Sequence, residues 1–318
     1  MIPSAKEIFE TINASKNIAL IAHAKPDGDT LGSVLSLAQY CKNKNLKYSV
    51  FCFDTPPSYL NHLPLINEVQ KPIENFGGFD TIVFVDHGSI EQSKFAEKIT
   101  PLLETRTILN IDHHISNSKF GKINFVITDR SSTCELLYLM FLQQNIEVTK
   151  EMANCLMTGL ITDTGHFMNS ATNITSLEIA GDLVRKGAKI PNIGDQVINN
   201  KSIPSLNIWG KILERITIDP KDGHAYTVIT ADDLATPGLD KESLDGLVNF
   251  MTGIQDVPYV KLMIQDGPKQ VKISLRTLRN DIDLSAMAAV YGGGGHKKAS
   301  GYKVPGKIVL VNNIWQII

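Results

Sequence analysis

The chain has 318 residues, enough for about two domains, each with a core of its own. Apolar residues make up 43% and charged residues 20%, as in an ordinary soluble globular protein. Lysine and arginine (31) against aspartate and glutamate (33) leave a net charge of −2, which argues against a broad nucleic-acid-coating surface while allowing a local basic pocket.

The N-terminal stretch MIPSAKEIFETI has no basic segment followed by an apolar one, so it reads as an amphipathic helix and not as a signal peptide. No apolar run approaches the ~18 residues of a membrane span, and the expected location is cytoplasmic. NIALIAH is a short apolar run ending in polar residues, a buried strand. Leu31, Val34, Leu35 and Ala38 follow at helical spacing. YSVFCF, DTIVFVDHGS and TRTILNIDHH read as further strands, followed by KINFVIT. Residues 132–144 are helical, with Ser132 and Glu135 spaced as in a capping box. EMANCLMTGLITDTGHF and ITSLEIAGDLVRKGA add two helices, the second ending at Gly187. Strands alternating with helices predict an α/β fold with a parallel, helix-covered sheet. Cys41, Cys52, Cys134 and Cys155 are scattered without a CxxC pair and read as buried free thiols.

The pattern changes near residue 188. Residues 188–215 hold two prolines and then an amphipathic helix, which reads as a connector. Beyond it HAYTVIT, YVKLMIQ and QVKISLRT are strands, and LDGLVNFMTGI and DLSAMAAVY are helices. The expected organisation is a first domain over 1–187, a linker over 188–215, and a smaller α/β or α+β domain over 216–318.

Three apolar strands end in the same chemistry: His23, Asp27 and Asp29 after the first, Asp86 and His87 after the second, Asp112, His113 and His114 after the third. A further apolar run leads to Asp163 and His166. Ligands of open parallel sheets bind beyond the carboxyl ends of the strands. Each group alone is explicable as a polar turn, and HAKPDGDT alone also as a helix cap by Asp29 or Thr30. Together they read as one site. Carboxylates with a minority of imidazoles suit Mn²⁺, Mg²⁺ or Fe²⁺. Four aspartates exceed the needs of one ion, and a shared carboxylate points to a two-metal centre for hydrolytic phosphoryl transfer. In the second half, Arg276 in SLRT suits bidentate phosphate binding. The run YGGGGH offers close backbone approach to an anion at Gly293, Gly294 and Gly295, with His296 as a side-chain donor and Gly292 ending a helix.

These motifs, in this order, resemble the DHH phosphoesterase superfamily, named for the triplet present here as Asp112-His113-His114. The resemblance runs over nearly the whole chain: HAKPDGDTLGS, VFVDHGS, NIDHH and TGLITDTGHF in the first half, KISLRT and GGGGHKKASGY of the DHHA1 type in the second. It is strongest to the NrnA-type members, two-domain enzymes that degrade very short oligoribonucleotides and often dephosphorylate 3′-phosphoadenosine 5′-phosphate. The resemblance implies a Rossmann-like catalytic domain, a DHHA1 substrate-binding domain, and an active site in the cleft between them. It implies that His23, Asp27 and Asp86 hold one Mn²⁺, and that Asp29, Asp86, His113 and Asp163 hold the other. His114 would lie beside the scissile phosphate, with Asp112 orienting its neighbours. Arg276, Gly293 to Gly295 and His296 would hold the rest of a short RNA or small nucleotide, with no membrane and no long nucleic acid as partner. Relatives are often homodimers.

Other readings share parts of the pattern. A stand-alone phosphodiesterase for cyclic di-AMP or its linear product pApA fits the same residues. A manganese pyrophosphatase shares the first-half motifs without GGGGH, and a RecJ-like exonuclease needs more chain. A non-catalytic nucleotide-binding module would ordinarily lose some ligands. His87, His166 and Ser300 depart from the usual pattern, the two histidines standing as extra substrate contacts or as incidental.

Overall fold

A computed structural model describes residues 4–71, 73–169, 171–197, 202–239, 244, 246–312 and 314–318, with the backbone alone for 195–197 and His296. The chain divides into two units, Met1–Asn200 and Lys201–Ile318. The stretch read as a connector is shared between them, its two helices going one to each unit.

In the first unit, α1 (Ala5–Ala14), α2 (Gly28–Asn43), α3 (Ala96–Ile99), α4 (Thr133–Gln143), α5 (Lys150–Asp163), α6 (Ile174–Arg185) and α7 (Ile190–Val197) surround a six-stranded sheet. Its strands are β1 (Ile18–Ile21), β2 (Tyr48–Phe51), β3 (Val69–Gln70), β4 (Thr81–Val85), β5 (Thr107–Asp112) and β6 (Ile123–Val126). Their order is β3-β2-β1-β4-β5-β6, and every pairing is parallel. The continuous apolar character of β1 and β4 has a simple cause, since all their residues are buried and both faces are covered. Ile18, Leu20, Val83 and Val85 join one core with residues of α1, α2, α4 and α5. Ala19, Ile21, Ile82 and Phe84 join the other.

That second core differs from the helix-covered face expected from the alternating pattern. An aromatic cluster of Phe51, Phe76, Phe79 and Phe95 closes it, with ring centroids 5.3–6.2 Å apart. Between β4 and β5 the chain forms only short helical turns, so large edge-to-face rings supply the area a long helix would otherwise bury. On the opposite face α2 and α5 pack unusually close. A Cβ on Gly32 would stand 2.4 Å from the Cys155 carbonyl oxygen, and one on Gly28 would stand 2.4 Å from Thr162 Oγ1. The glycine at 28 therefore serves helix contact.

Strand order reverses between β1 and β4: from β1 the chain builds outward through β2 and β3, then returns to add β4, β5 and β6 on the other side. Loops leaving β1 and β4 diverge there and open a crevice at the carboxyl edge.

The second unit contains α8 (Ile203–Glu214), β7 (Thr217–Ile218), β8 (Ala225–Ile229), α9 (Ala231–Leu234), α10 (Leu247–Met251), β9 (Val260–Gln265), β10 (Gln270–Arg276), α11 (Leu284–Ala289), β11 (Gly294–His296), β12 (Ala299–Pro305), β13 (Ile308–Val311) and β14 (Ile314–Ile317). Its main sheet runs β11-β12-β10-β9-β8-β7, with β8 and β9 parallel and the other pairs antiparallel. Gln265 stitches the β13–β14 hairpin to it, accepting the Ile308 N–H at 2.8 Å. The buried Asp233 carboxylate binds Arg215 and, at 3.1 Å, Lys211. All four cysteines are buried and unpaired. Among the described residues no helix is long and apolar enough to cross a membrane.

Candidate metal centre

The residues singled out at the strand ends converge at the crevice between β1 and β4. The loop after β1 carries His23, and Asp27 follows as the N-cap of α2. Asp27 Oδ1 accepts the N–H groups of Asp29 and Thr30 at 3.0 Å each. The cap is thus Asp27 and not Asp29 or Thr30. Capping occupies one oxygen of Asp27; Oδ2 stands 3.9 Å from His23 Nε2.

Freed from capping, Asp29 turns to the other end of the site. Its two oxygens accept the N–H groups of Thr133 and Cys134 at 2.7 and 2.9 Å. Those are the first residues of α4, so the positive end of a helix faces a buried carboxylate. Ser132 caps α4 by accepting the Glu135 N–H at 2.9 Å. The Glu135 carboxylate does not return to Ser132 as a capping box requires; it takes the Ser131 N–H at 3.0 Å.

Asp86 follows β4 directly with φ +63°, a left-handed conformation that bends the chain after the strand. Its carboxylate is 3% exposed and held by two hydroxyls, Thr30 Oγ1 at 2.5 Å on Oδ2 and Thr133 Oγ1 at 3.0 Å on Oδ1. The two oxygens face different imidazoles. Oδ2 lies 3.4 Å from His23 Nε2, and Oδ1 lies 3.8 Å from His113 Nε2. His113 Nε2 is also 3.4 Å from Asp163 Oδ2, at the end of α5. Donor atoms of His23, Asp27 and Asp86 lie within 4.8 Å of one another, as do those of Asp29, His113 and Asp163, and those of Asp86, His113 and His114.

Two imidazoles are oriented alike. His23 Nδ1 donates to the Ala24 carbonyl at 2.8 Å and His113 Nδ1 to the Arg130 carbonyl at 3.1 Å. Each Nε2 is left facing the carboxylates, the orientation of a metal-ligating histidine. His114 is oriented differently. Its Nδ1 binds Asp112 Oδ1 at 2.7 Å, and Asn117 Nδ2 holds the other Asp112 oxygen at 2.6 Å.

The electrostatics fit a cation. Burial, then repulsion from Asp86, raises Asp29 to about 7. Burial and the charges of Asp29, Asp27 and Asp86 raise Asp163 well above the carboxylate range. For Asp86 burial acts upward, but the hydrogen bond and charge of His23, with His114 and His113, hold it far below its ordinary value. His23 is lifted to about 9 because its hydrogen bond to Asp86 and the charges of Asp27 and Asp86 outweigh burial. A buried set of carboxylates that repel one another, faced by imidazole nitrogens, is compatible with a divalent metal.

His87 is not in the crevice. It is fully buried, its Nδ1 donates to the Val85 carbonyl at 2.8 Å, and its ring packs edge-on to Phe84. Burial lowers it to about 3, so it is neutral packing and not a substrate contact. His166 is exposed with φ +62° beyond α5. The motif reading missed Thr30, Thr133, Asn117 and the start of α4. The capping pattern at Ser132 marked that helix start, though nothing in it indicated that a carboxylate more than a hundred residues earlier would be its partner.

Arg276, Gly293, Gly294 and Gly295 lie in the second unit. Arg276 ends β10, with Nε on Asn249 Oδ1 and Nη1 on the Leu275 carbonyl, both at 2.9 Å. It is in register with Ala299 of β12, which on its other side pairs with His296 of β11. The two positions thus flank one point of the sheet; the His296 side chain lies outside the described residues. The glycine run forms a strand, and steric need for glycine comes from β12. A Cβ on Gly293 would meet the Gly301 carbonyl oxygen at 2.3 Å, and one on Gly295 the Ala299 oxygen at 2.5 Å. Gly292, at φ +70°, lies three residues beyond α11.

Comparison with known proteins gives the same division. The DHH family, N-terminal domain, matches residues 17–160, and the DHHA1 domain matches residues 224–316. The chain is 28% identical over 302 residues to the bifunctional oligoribonuclease and PAP phosphatase NrnA of Thermus thermophilus, covering 94% of this chain and 88% of that protein. It is 25% identical to the Bacillus subtilis protein of the same name, covering 94% and 92%. A probable manganese-dependent inorganic pyrophosphatase of Lactococcus lactis is 27% identical over 187 residues, covering 53% of this chain and 55% of that one. The fold matches the crystal structure of an exopolyphosphatase-related protein from Bacteroides fragilis with a TM-score of 0.85 at 24% identity, over 94% of this chain and 90% of that one. With both domains present in order and full-length relatives named as hydrolytic enzymes, the chain is a hydrolase and belongs to the DHH/DHHA1 phosphoesterase superfamily.

Proposed function

We propose that this protein is a two-metal, Mn²⁺-dependent phosphoesterase that hydrolyses short oligoribonucleotides to mononucleotides and 3′-phosphoadenosine 5′-phosphate to AMP. The observation that carries the reading is the placement of Asp86, whose two oxygens face His23 and His113 separately. His23, Asp27 and Asp86 are assigned to one ion; Asp29, Asp86, His113 and Asp163 are assigned to the other. The names of the full-length relatives support the nucleotide substrates, and the pyrophosphatase relative supports manganese.

Bound ions in such a site supply an acidified water and counter-charge for phosphate. The protein's own share is to fix the ligands and place the acid. Thr30 and Thr133 lock Asp86, and the start of α4 locks Asp29. His114, steered by the bond from Nδ1 to Asp112, is the group assigned to stabilise or protonate the leaving oxygen. Arg276, Gly293, Gly294, Gly295 and His296 are assigned to the remainder of the substrate.

The test is one Mn²⁺ activity panel with dinucleotide RNA, a long RNA, 3′-phosphoadenosine 5′-phosphate, pyrophosphate and cyclic di-AMP. The expected preference is for the dinucleotide or 3′-phosphoadenosine 5′-phosphate. Faster turnover of pyrophosphate or of the long RNA overturns the substrate assignment.

A further inference from the structure

Beside the metal centre, within the first unit, lies a cavity of about 660 Å³. His23, Asp86 and His114 line it, with Lys25, Phe53, Gln92 and Lys94 among the other lining residues. The loops that build it leave β1, β2, β4 and β5 at the same carboxyl edge as the ligands. A pyrophosphate or single phosphate would fill only a small part of such a space, which is of the size that holds drug-sized organic molecules.

The lining is specific in character. Phe53 is 46% exposed yet braced, its ring 6.1 Å from that of the buried Phe95. Lys25 and Lys94 both have left-handed backbones, φ +54° and +61°. Each is exposed, and among the described residues no carboxylate lies within ion-pair distance of either ammonium. The two lining acids besides Asp86 are engaged locally: Asp54 accepts the Lys25 backbone N–H at 2.8 Å, and Glu91 is hydrogen-bonded by Ser89. Gln92 ties the loops together, its carbonyl accepting the Ala24 N–H at 2.8 Å and its Oε1 the Gly88 N–H at 2.7 Å. That orients the Gln92 amide nitrogen as a further donor. A fixed aromatic face with two ammonium groups and an amide donor matches a flat heterocycle carrying phosphate.

We propose that this cavity is a nucleoside subsite, in which Phe53 stacks a base flanking the scissile phosphate while Lys25 and Lys94 bind an adjoining phosphate oxygen. The site then selects organic nucleotides over inorganic phosphate chains. This rests on the phosphoesterase reading above and narrows its substrate class.

The experiment compares the wild-type protein, Phe53→Ala and the Lys25→Ala/Lys94→Ala double variant. Each is measured with Mn²⁺ on pApA and on the same dinucleotide with either base removed, and AMP binding is measured by calorimetry. Phe53→Ala is expected to raise KM for pApA about tenfold, with kcat nearly held, and to weaken AMP binding by a similar factor. That penalty should shrink to under about twofold on one of the two base-deleted substrates. The lysine variant should raise KM and flatten its dependence on salt. A wild-type protein that binds AMP in a Phe53-dependent way but hydrolyses no nucleotide overturns the proposed function and leaves the subsite standing. Wild-type hydrolysis of pApA with unchanged KM and AMP affinity in Phe53→Ala overturns the subsite and leaves the function standing. Thermal melts matching wild type establish that each variant is folded.

Discussion

Thr133→Val tests the claim that Asp86 is preorganised by its hydroxyl neighbours. The substitution keeps the branched shape of a fully buried side chain and removes one hydrogen bond, that from Oγ1 to Asp86 Oδ1 at 3.0 Å. A hydrogen bond to a charged group contributes about 1.5–3 kcal/mol. The Thr133 backbone N–H still binds Asp29, so the loss is confined to one oxygen of Asp86. At ~1.4 kcal/mol per decade, the Mn²⁺ affinity should fall by about 10- to 100-fold, in line with the loss of a residue that orients a metal ligand. The assay is activity against Mn²⁺ concentration, with calorimetric titration of the metal. The activation curve should shift to higher Mn²⁺, kcat at saturating metal should stay within a few-fold, and Thr133→Ser should restore the wild-type curve. An unshifted curve, or a loss of kcat that no metal concentration recovers, refutes the reasoning.

Three further outcomes follow from the same geometry. His114→Ala should lower kcat by about 10²–10⁴-fold with little change in melting temperature, and wild-type turnover in that variant would remove His114 from the chemistry. Gly159→Ala places a Cβ 2.3 Å from Cys134 Sγ and 2.7 Å from Asp29 Oδ1, an overpacking that should cost about 1–3 kcal/mol in a denaturant melt and weaken Mn²⁺ binding as well. In the second unit, burial acts upward on Asp233, but Arg215, Thr230 and Lys211 hold its carboxyl well below its ordinary 3.8. Its stabilisation is therefore complete above that unfolded value and is lost as pH falls below it. Asp233→Asn should destabilise this unit by about 2–3 kcal/mol near neutrality and flatten the acid limb of its stability profile; an unchanged acid limb contradicts the assignment.

The parts of the fold legible in the sequence are those where a local pattern has one structural solution. NIALIAH and DTIVFVDHGS read as strands because residues buried on both faces must be apolar without a break. The aromatic face was not legible, because Phe51, Phe76, Phe79 and Phe95 are separated by turns and share no period. The GGGGH stretch is ambiguous in another way. Glycines that admit an anion and glycines that admit a neighbouring strand look alike in sequence, and at Gly293 and Gly295 the neighbour is β12.

The site shows the same division at finer scale. Asp and His recur at three strand ends, and parallel topology alone brings such ends to one edge, so these residues were visible as a set. What holds them was not. Asp29 is aimed by the N-terminus of α4, and Asp86 by hydroxyls from α2 and α4. Each of these contacts joins elements distant in the chain through a residue type common in any helix start. Even the two carboxylates nearest one another in sequence show this. Asp27 and Asp29 are two residues apart, yet one caps α2 while facing His23 and the other reaches α4 while facing His113. Helix geometry explains the split, because a cap residue lies outside the helical turn and its second neighbour inside it, so their side chains leave the backbone in different directions. The proposed two-metal centre needs two carboxylates close in space and divergent in aim, and a helix N-terminus supplies both within three residues.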